Sequence, residues 1–126
     1  MLEFAAILFT ILTSVLVLFQ FGLAIGMPWD EYAMGGYYPG RFSWKLRLSA
    51  ILQGILLIIF ALIVLDKANL FRLEYFSIPS MAIWFVVAFS FLASILNFIT
   101  KSAKEKKIWF PISILLLITS LIVALN

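Results

Sequence analysis

The chain has 126 residues, of which 65% are hydrophobic and 12% charged. Soluble domains run nearer half apolar and a quarter charged, and so short a chain has too little interior to hide the excess. A soluble enzyme, a disordered regulator and a nucleic-acid-binding domain are therefore excluded, and a small integral membrane protein is required.

There is no cysteine and no histidine. Disulfides, thiol chemistry, Cys/His metal sites and Ser-His or Cys-His catalytic pairs are ruled out with them. No metal site and no cofactor is expected. The carboxylates are Glu3, Asp30, Glu31, Asp66, Glu74 and Glu105, and none lies deep in an apolar run. The net charge of +3 is explained more simply by the bias of basic residues to one side of a membrane than by nucleic acid.

Four stretches carry no charge: 4–27 (24 residues), 48–65 (18), 75–100 (26) and 108–126 (19). About 20 helical residues cross a hydrocarbon core of about 30 Å, so each is long enough to span. Lipid cannot satisfy backbone polar groups, which favours helices. The alternating polarity of a membrane barrel is missing. The expectation is an all-α, integral membrane four-helix bundle with spans at about 4–27, 48–65, 77–100 and 108–125, forming a single domain over 1–126. All charges but Glu3 then fall in the connections.

The first span follows an acidic start, Met1-Leu2-Glu3. It is too long for a signal-peptide core and is read as a retained helix. Its small and polar residues Ala6, Thr10, Thr13, Val17, Gln20 and Ala24 form a seam, and Gly22-x-x-x-Gly26 adds a close-packing motif. Matching seams are Ala50, Gln53 and Ala61 with Ala50-x-x-x-Gly54 in span two, Val87, Ser90, Ser94, Asn97 and Lys101 in span three, and Ser113, Ser120 and Ala124 in span four. Helices in lipid associate through close backbone approach and interhelical hydrogen bonds, so the small residues are read as bundle packing.

Loop one, 28–44, differs from the rest of the chain. It holds Gly35, Gly36 and Gly40 of six glycines, Pro28 and Pro39 of four prolines, and Tyr32, Tyr37 and Tyr38 of four tyrosines. Trp29 and Trp44 bracket it, with Asp30 and Glu31 beside them. Gly35-Gly36 permits unusual backbone angles and Pro39-Gly40 is a turn signal, so an ordered interfacial loop is expected. Two readings stand. Asp30 and Glu31 could bind a cation or amine while Arg41, Lys45 and Arg47 hold an anionic headgroup; or the acids pair with those bases in a structural cap.

Segment 71–76 is expected along the opposite interface. Pro79 and Pro111 should fall in the first turns of spans three and four, where proline removes no helical bond. Trp29, Trp44, Trp84 and Trp109 mark membrane boundaries. Loops one and three carry seven basic residues (Arg41, Lys45, Arg47, Lys101, Lys104, Lys106, Lys107) against Lys67 and Arg72 in loop two. This predicts loops one and three in the cytoplasm and both termini outside. Gln20 and Gln53 lie about 10 Å inside the helix ends that face loop one, and Asn97 about one turn inside, so the amides share a similar depth. They should face inward, either as a polar pocket or as an interhelical amide clamp.

The run Gly26-x-Pro28-Trp29-x-x-x-Ala33-x-Gly35-Gly36 resembles a segment following the first span in small four-helix bacterial integral membrane proteins of unassigned function. Asp30 stands where that pattern has glycine. The resemblance covers the four-span layout and loop one. It implies a multi-pass protein of a bacterial cell (inner or plasma) membrane and no activity.

The reading that needs least is a non-enzymatic accessory or immunity-type factor that binds a specific lipid or a membrane protein partner, through Gln20, Gln53, Asn97, Asp30, Glu31 and Arg41. A small transporter or channel, possible as a homo-oligomer, would need a neutral amide-lined path, since no ionisable group lies within the spans. An intramembrane enzyme would have only Asp30, Glu31 and Asp66 for acid–base work, with no nucleophile paired to a base.

Overall fold

Apolar segments that cross lipid must satisfy every backbone N–H and C=O internally, and this chain does so with helices. The structure, a computed structural model, describes residues 1–25, 44–71, 77–99 and 103–126. Among the described residues there is no strand. The helices are α1 (Leu2–Ala24), α2 (Trp44–Lys67), α3 (Ala82–Ile99) and α4 (Ala103–Ala124). All four are long and apolar enough to cross a membrane.

Where the boundaries differ from expectation, charged residues prove to be helical and neither proline sits in a first helical turn. Lys45, Arg47, Asp66 and Lys67 are helical residues of α2, and Lys104, Lys106 and Lys107 of α4. They were assigned to connections because they interrupt the apolar runs. Lysine and arginine are good helix formers, and their long stems reach water from a helix end. α2 then closes where Asn69 turns left-handed (φ 61°). The N–H groups of Asn69 and Leu70 donate to the carbonyls of Asp66 and Leu65, both at 3.0 Å. Asparagine tolerates this C-terminal cap better than most side chains.

α3 begins at Ala82 rather than 77. Pro79 precedes the helix, and its carbonyl accepts the Ala82 N–H at 3.0 Å. Proline disfavours helical geometry in the residue before it, which keeps Ile78 outside. Pro111 departs further from expectation and lies inside α4. It removes the helical bond to the Lys107 carbonyl.

α1 packs most extensively on α2, and α3 on α4. The two hairpins meet chiefly through α1 and α4, while α2 and α3 pack far less. Gly54 makes the first hairpin close: a Cβ there would stand 2.7 Å from the Phe21 ring. Toward the chain termini all four helices contribute to an apolar cluster that includes Phe9, Leu57, Phe60, Val64, Val86, Leu116 and Val123. Of the expected seams, Ala6, Thr13, Ala50, Ser90, Ser94, Ser113 and Ser120 are buried. Their hydroxyls mostly stay within their own helix: Ser94 donates to the Ser90 carbonyl at 2.9 Å and Ser120 to the Leu117 carbonyl at 3.1 Å. The seams therefore act by small size more than by bonds between helices.

Candidate functional site

The end of the bundle that carries Lys45, Arg47, Lys106 and Lys107 is built differently. Here Gln20 on α1 donates through Nε2 to Gln53 Oε1 on α2, at 3.1 Å. Gln53 Nε2 in turn donates to Ser49 Oγ one turn back, at 3.3 Å. On the second hairpin Asn97 Nδ2 of α3 donates to Ser113 Oγ of α4, a long bond of 3.4 Å. Ser113 Oγ passes its own hydrogen to the Phe110 carbonyl at 2.9 Å. The first hairpin is thus tied by an amide pair and the second by an amide–hydroxyl pair.

Between the two pairs lies a cavity of about 330 Å³, lined by residues of all four helices. Gln20, Gln53 and Asn97 all face it, joined by Ser49, Ser90 and Ser113. The first two amides meet and the third does not reach them. Each glutamine of the relay has committed one of its two N–H donors in the bonds just described.

The walls can be taken pair by pair. Phe21 over Gly54 shuts the α1–α2 side. Phe19 and Trp109, ring centroids 4.7 Å apart, shut α1 against α4. Phe98 and Phe110, at 5.3 Å, cover α3–α4, with Lys106 Nζ held 4.6 Å above the Phe98 ring. The α2–α3 side is crossed by Phe60 and Phe89 at 5.0 Å. Closer to the basic end, the lining residues Gln53 and Leu96 are exposed, one on each helix. Among the described residues the cavity is therefore open at the seam between α2 and α3. Its floor is Phe9, Leu57, Phe60 and Leu116, members of the apolar cluster.

Among the described residues no lining side chain is ionisable. The site can offer hydrogen bonds and apolar contact, while a buried charge would cost several kcal/mol without a partner. Among the described residues no group of three acidic side chains gathers that could hold a metal ion.

The sequence reading missed Ser49, although it stands four residues before Gln53 and so on the same helix face. It also missed the aromatic walls. Trp109, read as an interfacial anchor, packs on Phe19 and lines the cavity. The loop-one candidates Pro28, Trp29, Asp30, Glu31, Gly35, Gly36, Pro39, Gly40 and Arg41 lie outside the described residues. Comparison with protein-family models, with curated proteins and with solved structures finds no match for the chain.

Proposed function

We propose that this protein is a non-enzymatic membrane factor that binds a lipid-like molecule in the cavity between its two hairpins. One observation carries the reading: a cavity of about 330 Å³ between the hairpins, mostly apolar, with three amides converging on it and α2 and α3 packing less closely than α1 and α4. Small-molecule sites have this form, concave and apolar with a few placed polar groups. The apolar floor supports binding over a transport path, which needs continuity across the bundle. The neutral lining supports a binder over an enzyme, since it supplies neither general acid nor general base.

Mild-detergent purification followed by native mass spectrometry tests this. The wild-type protein should carry a bound lipid-sized mass, and Ala93→Phe, which fills the cavity, should lose it. A bare protein in both cases rejects the proposal. A bound protein chain instead of a small mass assigns the partner role. A bacterial cell membrane, with the basic end in the cytoplasm and both termini outside, completes the proposal. The absence of natural cysteine makes this testable by single substitutions: in intact cells Ser77→Cys should react with an impermeant thiol reagent and Ser43→Cys should not.

A further inference from the structure

Resting on that reading, we infer that the ligand is a membrane-dissolved, uncharged ring compound bearing carbonyl acceptors, of the quinone class. Its ring sits among the cavity aromatics and its carbonyls accept from the amide N–H groups. Its tail leaves through the seam between α2 and α3.

Size, charge and shape each narrow the choice. An apolar cavity of about 150 Å³ takes up one benzene. This one, at about 330 Å³, has room for a substituted ring and the first atoms of a tail. Among the described residues the lining is neutral, which favours an uncharged guest, because phosphate or ammonium beside these side chains would be buried without a counter-charge. Phe9, Phe19, Phe60, Phe89 and Trp109 all line it. They come from four helices and so surround a guest rather than flank it. Aromatic rings favour offset or edge-on contact with another ring at centroid distances of about 4.5–7 Å.

The polar groups complete the match. A primary amide offers two N–H donors, and the named bonds use one on each of Gln20, Gln53 and Asn97. These donors stand on opposite hairpins, Gln20 and Gln53 on one and Asn97 on the other. A ring with a carbonyl at each side presents acceptors to both. An acyl chain presents none at its ring-contact length, and a hydrocarbon ring presents none at all. Entry needs no passage through water, because the α2–α3 seam faces lipid, where such compounds dissolve.

The test uses Trp109 as reporter in a chain carrying Trp29→Phe, Trp44→Phe and Trp84→Phe. A decyl-substituted benzoquinone is titrated into the detergent-solubilised protein, and fluorescence quenching is followed. Saturable quenching is expected, lost when Ala93→Phe is added. Asn97→Leu, and separately Gln20→Leu with Gln53→Leu, should each weaken binding roughly threefold to tenfold, the size of a lost hydrogen bond. Decylbenzene, which has the ring and tail without the carbonyls, should compete at least about tenfold less well. Equal competition by decylbenzene, or unchanged binding in both amide variants, overturns the inference. A monoacylglycerol that binds where the quinone does not also overturns it, but leaves the proposed function standing. Saturable binding by none of the three probes removes both. Should the double glutamine variant fail to fold, Asn97→Leu and the decylbenzene competition decide the same point without altering α1 or α2.

Discussion

Toward the chain termini the four helices close on a dry cluster, and toward the basic end they part around a cavity. In the first region Ala6, Val64, Val86 and Val123 are 0% exposed. In the second, each hairpin holds itself with a side-chain hydrogen bond from an amide, and aromatic rings stand around an open space. The same apolar composition thus serves two ends. Helix association is carried by the packed half, where lipid offers no hydrophobic drive and fit must supply the energy. The other half packs within the first hairpin, where Leu23 and Ala50 are buried, and keeps an open space between the two hairpins.

Enlarging one alanine in each half should separate the two most widely. Ala6→Phe forces a ring into the packed region and should cost about 1–3 kcal/mol or more. Ala93→Phe puts the same ring into the cavity and should cost little, while abolishing ligand uptake. Reversible unfolding in mixed micelles measures the first effect. Equal losses at both positions would show that the cavity collapses in the bilayer.

Gly54→Val places a Cβ against the Phe21 ring at the distance where something must move. We expect about 1–3 kcal/mol of destabilisation, largely relieved by Phe21→Ala in the same chain. Additive rather than compensating effects would detach the hairpin from that contact. Gln53→Leu should cost only about 0.6–1.7 kcal/mol, the range for hydrogen bonds between membrane helices. Its main effect should fall on binding. Thr13→Val is the smallest change. Thr13 is 1% exposed and its Oγ1 has no hydrogen-bond partner. Removing a buried unpaired hydroxyl should leave stability unchanged or raise it by up to about 1 kcal/mol. A clear loss would mean that the hydroxyl gains a partner in the bilayer.

The number of helices and their membrane-spanning character were legible because charge-free runs of 18 or more residues have one stable solution in lipid. Their ends were less legible. Lys45 and Arg47 look like loop residues to a hydropathy reading, yet nothing in their side chains opposes a helix. Gln20, Gln53 and Asn97 could be placed together because a buried amide is costly and depth follows from residue count. Which amide would meet which depends on how the helices pair around the bundle, and the pattern along one helix does not carry that. The aromatic walls were hidden for a different reason. Of the thirteen phenylalanines, Phe89 lines the cavity while Phe85, one turn earlier, is 73% exposed. Lipid and an apolar cavity ask for the same side chain, so composition does not distinguish them.

Pro111 has a bearing on the height at which the protein floats. Having no N–H, it leaves the carbonyl of Lys107 without its usual helical donor. In hydrocarbon such a carbonyl would cost several kcal/mol, whereas at the wet boundary water takes the donor's place. The exposed side chain of Lys107 has the same preference. Residue 107 is therefore expected at the waterline, where the accessibility of Lys107→Cys to a water-soluble thiol reagent would test it. Ser113, six residues along α4, then rides about 9 Å below it at the helical rise of 1.5 Å per residue, and Asn97 rides with it. That is deep enough for bulk water to stop competing for an amide hydrogen bond, and shallow enough for a guest diffusing in one leaflet to reach it. A proline in a helix thereby fixes how deep a visitor must swim.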